Sequence, residues 1–478
     1  MHRIQTAGLG VKNDQHTTLH GLRCDRISNV SLPGTASGSR WDITLSGDTV
    51  STVEPCEDKV QPPDPVTEHN VIDAKGALLA PSLCHPHVHL DKAYLLSHPK
   101  YADLQIERGD FAEAMELTSR AKAQFEHLDL LERGQRLIDE SVKAGVTHMR
   151  AFVEVDAGVG TKCLDAGLEL KRKAEEHGRC FVQLCAFAQL PLFTASGGDP
   201  DGSVIRCLLE QAAKTDGVDV VGSTPYVEAD RDRMEQNVAW MADLAIDQNK
   251  HLDFHLDYNL DPKVEPLLWH VTATLRKKHW TSYNENRNIV LGHCTRLTLF
   301  SSQEFERLRE AIGGLPISFV GLPTSDLYMM REANQRRGTL DIVSMIQRYG
   351  MNACLGINNI GNAFTPHGSC DPLALACNGI GIYQSGTKKD VELLYECIST
   401  RAREAIGLGR AKQTIENADG DPEEVTDFAF EVKEGDTALL LFGAEEDAWK
   451  TRKSVSEAVY LYDHCQGRRV FLNGKLTI

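Results

Sequence analysis

Short apolar runs alternate with longer amphipathic stretches along most of the chain after about residue 145. This alternation is typical of repeated βα units around a parallel sheet. Several runs are almost continuously apolar, as expected for strands covered on both faces. The candidate strands are PSLCHPHVHL (81–90), THMRAFVEVD (147–156), CFVQLCAFAQ (180–189), VDVVGSTPY (218–226), HLDFHLD (251–257), NIVLGHC (288–294), PISFVGLP (316–323) and NACLGINN (352–359). Eight strands of this kind predict a closed (β/α)8 TIM barrel.

The stretches between the strands read as helices. Met234, Val238, Met241 and Ala245 recur at helical spacing, which predicts an outer ring of helices packed on the barrel. A longer segment, about 93 to 140, separates the first two strands. A connection of that length usually carries its own helices or forms a lid.

The two ends of the chain have a different pattern from the middle. Short strands with Gly-containing turns are predicted in WDITLSGDTVSTVEP (41–55), GDTALLLFGAE (435–445) and RRVFLNGKLTI (468–478). We therefore expect a small β-sandwich domain built from both termini, residues 1–80 and 415–478, beside a barrel domain at 81–414.

The composition is that of an ordinary soluble enzyme, with 41% hydrophobic and 25% charged residues. The 51 basic and 68 acidic residues give a net charge of −17, which argues against nucleic acid as a partner. No apolar run has the length of a signal peptide core or a membrane span. The 13 cysteines form no CxxC pair, so buried free thiols are expected. We expect a cytoplasmic protein without a membrane partner.

Histidines lie at the predicted C-terminal ends of three strands, where barrel enzymes collect their chemistry. His87 and His89 close the first strand, His255 lies near the end of the fifth, and His293 ends the sixth. Two histidines at i and i+2 of a strand point to the same side and can bind one ion. His85 would line up with them, deeper in the strand. Imidazole ligands predict one divalent transition metal ion and favour zinc, iron or nickel over magnesium, with zinc first and iron second.

Two motifs carry a resemblance to a known family. HVHLDK (87–92) looks like the strand-one motif of the amidohydrolase superfamily, in its cytosine deaminase-like and triazine-hydrolase branch. GINNIGNAFTPHGSCDPL (356–373) is similar, without a gap, to that branch's strand-eight signature G-x-D-N-x-x-D-P-F-x-P-x-G. AFAQ, ending in Gln189, and RRG (336–338) match as well, so the resemblance runs from about residue 41 to the C-terminus.

The resemblance implies a metal-dependent hydrolase that acts on a small molecule and forms a homo-oligomer. Gln189 matches the strand-three glutamine that contacts the substrate ring in cytosine deaminases. The substrate-binding residues that we expect are Gln189, Asn359, Phe364, Asp91 and Lys92. Gln189 and Asn359 are neutral hydrogen-bonding groups, which suit an uncharged or heterocyclic ligand.

The sequence departs from the family at two catalytic positions. Tyr258 stands where the family has the glutamate that shuttles a proton, and Asn358 stands where it has the metal-binding aspartate. Asn362 likewise replaces the aspartate of D-P-F. Asparagine keeps a carbonyl oxygen but has no charge, and a tyrosine with a pKa of about 10 is a donor first. The family's deamination mechanism therefore cannot be carried over whole.

Other groups could take over proton transfer, and each has a structural alternative. Asp91 and Lys92 could instead form a salt bridge, Asp257 could make a structural hydrogen bond, and His367 could face solvent. Three hypotheses follow. The first is a hydrolase acting on a C–N bond of a cyclic amide, amidine or aminated heterocycle. The second is a lyase, isomerase or cyclase in which Tyr258 protonates an intermediate. The third is an inactive binding protein.

Overall fold

The computed structural model of the chain describes residues 21–56, 70–284, 286–330, 338–410, 413–416, 422–425, 429–443, 448–463 and 467–477. Parts of two predicted features lie outside these residues. They are segments of the predicted terminal domain, among them 1–20 and 57–69, and the first two residues of RRG at 336–338. In the described part of the chain, no helix is long and apolar enough to cross a membrane.

The strands are numbered along the chain. They are β1 (Arg26–Val30), β2 (Trp41–Ser46), β3 (Thr49–Pro55), β4 (Val71–Asp73), β5 (Leu79–Pro81), β6 (Leu83–His89), β7 (Val146–Glu154), β8 (Phe181–Ala188), β9 (Val218–Ser223), β10 (His251–Leu256), β11 (Ile289–His293), β12 (Ile317–Gly321), β13 (Ala353–Leu355), β14 (Gln413–Glu416), β15 (Pro422–Val425), β16 (Ala438–Phe442), β17 (Arg468–Leu472) and β18 (Lys475–Leu476).

The α-helices follow the same rule. They are α1 (Phe111–Lys122), α2 (His127–Ala144), α3 (Lys162–Glu176), α4 (Ser203–Lys214), α5 (Arg231–Asp247), α6 (Leu268–Lys277), α7 (Trp280–Tyr283), α8 (Ser302–Ile312), α9 (Pro323–Met329), α10 (Ile342–Tyr349), α11 (Pro372–Ile382), α12 (Lys388–Cys397), α13 (Thr400–Ala405) and α14 (Val455–Tyr460). Short 3-10 helices lie at Leu95–Ser97, Pro99–Tyr101, Pro225–Val227, Thr295–Leu299 and Ala448–Lys450.

The predicted eight-stranded barrel is confirmed. Strands β6 to β13 are parallel, and each is hydrogen-bonded to the next along the chain. The ring closes just after β13, where Asn358 N donates to His87 O at 3.1 Å and His89 N donates to Asn358 O at 2.8 Å. The backbone that closes the barrel therefore belongs to residues predicted for the active site.

Helices cover the outside of the barrel, as the apolar stripe of α5 predicted. Val238, Met241 and Ala245 of that helix are fully buried against the core. The connection between β6 and β7 contains α1, α2 and two 3-10 helices, so the first of the two predicted alternatives, a segment with its own helices, is confirmed.

The predicted sheet domain from both termini is also confirmed. One four-stranded sheet has the order β3-β2-β1-β4, and a second has the order β18-β17-β16-β5. Their facing side chains share one hydrophobic core, in which Ile27 and Ile43 of the first sheet meet Leu439 and Phe471 of the second. All four are buried, which makes the pair of sheets a sandwich.

Candidate metal centre and active site

A bulge in β6 decides which histidines reach the barrel interior. Between His85 and Val88 the strand advances three residues while β7 advances two, from Met149 to Ala151. One extra residue reverses the in-and-out alternation of side chains. His85 therefore faces the outer helices and lies 3.1 Å from Ser141 Oγ of α2. The expectation that His85 lines up with the two histidines after it is wrong.

The other four predicted histidines come together inside the barrel. His255 Nε2 lies 3.1 Å from His87 Nε2 and 3.0 Å from His89 Nε2. Ring nitrogens of His87, His255 and His293 all lie within 4.8 Å of one another. Nitrogens bound to one ion at 2.0–2.1 Å would be separated by about 2.8 to 3.4 Å for angles between 90° and tetrahedral. The separations of His255 Nε2 from the Nε2 atoms of His87 and His89 fit a shared metal ion.

The protonation of these rings also suits a metal. Burial lowers the pKa of His87, His89 and His255 well below the usual histidine value, and neighbouring positive groups such as Lys92 lower it further. A neutral imidazole offers a lone pair, whereas a charged one does not. The three rings are therefore in the form that binds metals.

Aromatic packing sets the orientation of these rings. The centroid of His87 lies 4.2 Å from that of Phe152, and the centroid of His255 lies 4.4 Å from that of Phe187. The Nδ1 atoms of His87, His89 and His255 are buried and have no hydrogen-bond partner among the described residues. Packing, rather than hydrogen bonding at Nδ1, therefore holds these three histidines.

His293 differs from the other three because its Nδ1 lies 2.8 Å from the carboxylate oxygen Oδ1 of Asp326. Asp326 belongs to α9, which follows β12, and is fully buried. Its second oxygen accepts hydrogen bonds from Thr339 Oγ1 at 2.9 Å and Leu322 N at 3.3 Å. This carboxylate was not predicted from the sequence.

Asn358 lies at the position expected for a metal-binding aspartate. Its Nδ2 donates to Ser325 Oγ at 2.8 Å. Its Oδ1 is buried and has no hydrogen-bond partner in the described part of the chain. A buried carbonyl oxygen without a donor is costly unless another group satisfies it, and a cation beside the histidines would do so.

Tyr258 packs its ring on His293, with the two centroids 4.1 Å apart. Burial raises the pKa of the Tyr258 phenol well above its ordinary value, and Asp326 and Tyr226 raise it further. The phenol therefore stays protonated at neutral pH and can donate a hydrogen bond.

The Asp257 carboxylate is hydrogen-bonded to backbone amides rather than to the clustered histidines. Its Oδ1 and Oδ2 accept hydrogen bonds from Leu267 N at 2.7 Å and Leu268 N at 3.1 Å. Burial raises its pKa to about 6, although these two bonds oppose the rise. These contacts fit the alternative given for Asp257, which was a structural hydrogen bond. Asp257, His293 and Asn358 have φ of 46°, 64° and 62°, so three strand ends turn sharply at the site.

Lys92 forms an ion pair, but not with Asp91 as one alternative supposed. Lys92 Nζ lies 2.7 Å from Glu154 Oε1 at the end of β7 and 3.3 Å from Gln189 Oε1. Glu154 also pairs with Lys122 of α1, which in turn pairs with Asp156. Asp91 instead accepts a bond from Glu154 N at 2.8 Å. Burial and then Glu154 raise the pKa of Asp91 to about 6.

The loop after β13 carries the remaining predicted residues. Asn362 is fully buried and donates to Lys92 O at 3.1 Å and to Asn359 Oδ1 at 2.8 Å, so it organises the loop. Phe364 lies at the mouth of the barrel, with its ring centroid 5.5 Å from Lys92 Nζ. His367 is exposed, which is the alternative given for it.

Aromatic rings from separate elements close the barrel mouth. Phe111, the first residue of α1, has its ring centroid 6.4 Å from Tyr226, 6.1 Å from Tyr258 and 5.7 Å from Phe364. One of these rings, Tyr258, packs directly on His293. Phe111 and Tyr226 were not predicted, because nothing in the sequence marks an aromatic residue on a connecting segment as part of a site.

Comparisons with known proteins agree with this architecture. The chain is 24% identical over 382 residues to N-isopropylammelide isopropyl amidohydrolase of Pseudomonas sp. (strain ADP), which covers 77% of this chain and 83% of that protein. No family model matches the chain.

Two solved structures are similar over almost the full length. The 5-methylcytosine deaminase of Klebsiella pneumoniae has a TM-score of 0.76 and 21% identity, covering 95% of this chain and 97% of that one. N-isopropylammelide isopropylaminohydrolase of Burkholderia multivorans has a TM-score of 0.68 and 19% identity, covering 94% and 97%. The resemblance inferred from the sequence is thereby confirmed: the chain has the fold of the amidohydrolase superfamily and is similar to its cytosine deaminase-like and triazine-hydrolase members.

Proposed function

We propose that the protein is a metal-dependent hydrolase that cleaves a C–N bond of a small cyclic amide, amidine or aminated heterocycle. The convergence of ring nitrogens from His87, His255 and His293 carries the proposal, because a shared cation would give these buried nitrogens a common partner. The similarity to an amidohydrolase and to a deaminase supports the type of bond.

The metal would be held by His87, His89, His255 and His293, with the free Oδ1 of Asn358 beside them. Nitrogen ligands favour zinc, with iron as the second choice. A bound divalent metal supplies a Lewis acid that lowers the pKa of water towards neutrality.

The chain's own polar groups would position the substrate and move protons. Tyr258 holds its proton at neutral pH and lies on His293, so it would donate a hydrogen bond or a proton to the leaving nitrogen. Gln189 and Asn359 would orient the ring of the substrate through their amides. Lys92, beside Gln189, would contact an electron-rich substituent.

The neutral pair Tyr258 and Asn358 also supports a second candidate, a lyase, isomerase or cyclase. Such a reaction would need a proton donor at Tyr258 but no carboxylate to activate water. A hydrolase places an oxygen atom of water in its product, whether it releases ammonia or an amine or opens the ring of a cyclic amide. An isomerase does not, so incorporation of ¹⁸O from labelled water separates the two. An inactive binding protein would show neither product.

The test begins with metal analysis of protein purified without chelator and then measures ammonia or amine release from heterocyclic amines and amides. We expect one zinc or iron per chain and turnover of at least one compound. His87→Gln should lose both metal and activity. His85→Gln is the matched control, because His85 is buried on the same strand but faces α2.

A wild-type chain that stays empty after zinc supplementation would contradict the proposal. So would equal metal contents of the two glutamine variants, because the site would then not depend on the interior histidine. The homo-oligomeric state expected from the sequence stays a prediction, which sedimentation velocity at micromolar concentration can check.

A further inference from the structure

The negative charge near the four clustered histidines lies at a different position from those that the family resemblance predicts. The two positions at which the family carries carboxylates hold Tyr258 and Asn358. Among the described residues, Asp326 is the acidic residue that is hydrogen-bonded to one of the four clustered histidines. Its position on α9, after β12, places it behind His293.

Both oxygens of the Asp326 carboxyl group face groups that can donate a hydrogen bond. Oδ2 accepts from the hydroxyl of Thr339 and the amide of Leu322, and Oδ1 lies 2.8 Å from His293 Nδ1. The amide of Leu322 can only donate, and the Thr339 hydroxyl and the His293 ring nitrogen can each donate to a carboxylate oxygen. With the carboxylate ionised, His293 must carry a hydrogen on Nδ1, so Nε2 is the ring nitrogen that can bind a metal ion.

The same turn of α9 also contacts Asn358, which stands at the position of the family's aspartate but carries no charge. Ser325, next to Asp326, accepts a hydrogen bond from Nδ2 of Asn358 at 2.8 Å. That bond turns the amide so that the Asn358 nitrogen points to α9. Two consecutive residues of one helix therefore fix the side chain that ends β11 and one that follows β13.

We propose that Asp326 is a positioning residue of the metal centre, which fixes the tautomer of His293 and supplies the negative charge that Asn358 lacks. The inference rests on the proposed metal centre. A carboxylate that accepts a hydrogen bond from a metal-binding histidine orients the ring and makes the nitrogen that binds the metal more basic. Here the charge acts through His293 instead of binding the ion directly.

Zinc affinity of the full-length chain, measured by competition with a chromophoric chelator, tests the proposal without any substrate. Loss of an outer carboxylate of this kind typically weakens metal binding by about 10- to 100-fold, and we expect that range for Asp326→Asn. Thr339→Val is the matched control, because it removes a bond to Asp326 but leaves the contact with His293. We expect its affinity to stay close to that of the wild type.

A variant in which the carboxylate is moved from position 326 to position 358 gives a result that a merely structural role of Asp326 would not produce. Asn358→Asp restores a carboxylate beside the ion, so the Asp326→Asn/Asn358→Asp double variant should recover at least about tenfold in affinity over Asp326→Asn. Melting of the metal-free proteins separates loss of the site from loss of the fold.

A zinc affinity of Asp326→Asn equal to that of the wild type would overturn the inference while leaving the metal centre in place. A double variant that binds no better than Asp326→Asn would overturn the charge argument. A wild type that binds no zinc would overturn both the inference and the proposed function. If Asp326→Asn does not fold, ¹⁵N spectra of histidine-labelled wild type, assigned with His293→Gln, decide the tautomer: a hydrogen on Nε2 of His293 contradicts the proposal.

Discussion

Glu154 forms buried ion pairs with both Lys92 and Lys122 at the mouth of the barrel. Its replacement by glutamine should destabilise the protein strongly. Its Oε1 lies 2.7 Å from Lys92 Nζ, and both side chains are 1% exposed. At an effective dielectric constant of about 20, a pair at this distance is worth about 6 kcal/mol before the cost of desolvation. Removal of one partner of such a pair typically costs about 3–5 kcal/mol, which we expect for Glu154→Gln.

Lys92→Met should cost less, because Glu154 keeps its ion pair with Lys122. We expect about 1.5–3 kcal/mol, the typical worth of a hydrogen bond to a charged group. The sharper expectation concerns the double variant. Glu154→Gln/Lys92→Met should be more stable than Glu154→Gln alone, because no buried lysine is then left without its carboxylate. Unfolding in urea, followed by circular dichroism and tryptophan fluorescence, measures all three values.

The pH dependence of stability offers an independent check. Burial alone would raise the pKa of Glu154, but Lys122 and Lys92 overcome it and hold the pKa below its ordinary value. A carboxyl group with a lowered pKa contributes stability above its unfolded value of about 4.3 and loses it as the pH falls towards the folded value. Glu154→Gln should therefore show a weaker loss of stability below about pH 4 than the wild type. A double variant no more stable than Glu154→Gln, or identical acid profiles, would refute the reasoning.

Three further substitutions test the site. Gly292→Ala should weaken metal binding, because the added Cβ would lie 3.0 Å from His87 Cε1 and displace that ring, whereas Gly314→Ala should retain the metal, since its Cβ would meet nothing within 4 Å; equal metal contents would contradict this. Tyr258→Phe should keep the metal and the packing on His293 but lower turnover by about 10²- to 10⁴-fold, and unchanged turnover would exclude proton donation by the phenol. Phe111→Ala should open the barrel mouth and lower KM for substrates with bulky substituents more than for small ones, and a uniform change would count against a role in size selection.

The sequence predicted the barrel because its signal is repeated and local. Near-continuous apolar runs such as those of β8 and β11 mark buried parallel strands whatever surrounds them. Residues at the ends of those strands must share one end of the barrel. His87, His89, His255 and His293 could therefore be grouped from their positions alone.

The partners of those histidines could not be predicted in the same way. Asp326 and Phe111 belong to α9 and α1, and helices on connections can present any residue to the site. Glu154 did offer a signal, because it is an acidic residue that ends an otherwise apolar strand. The local pattern assigns it only to the strand, because its partner Lys122 is 32 residues earlier in the chain.

The case of His85 shows why local periodicity fails even within a strand. H-x-H-x-H spacing places three histidines on one face only if the strand has no extra residue. Pro86 lies within the irregular part of β6, and a proline has no amide hydrogen for the ladder, so strand irregularities are common at such positions. Cys84 packs in the barrel interior, and His87 returns to the interior only because one residue is inserted between them. Without that bulge, a strand that keeps Cys84 inside would turn His87 and His89 towards the helices. The backbone irregularity, rather than the histidine spacing, is therefore what builds the candidate metal centre.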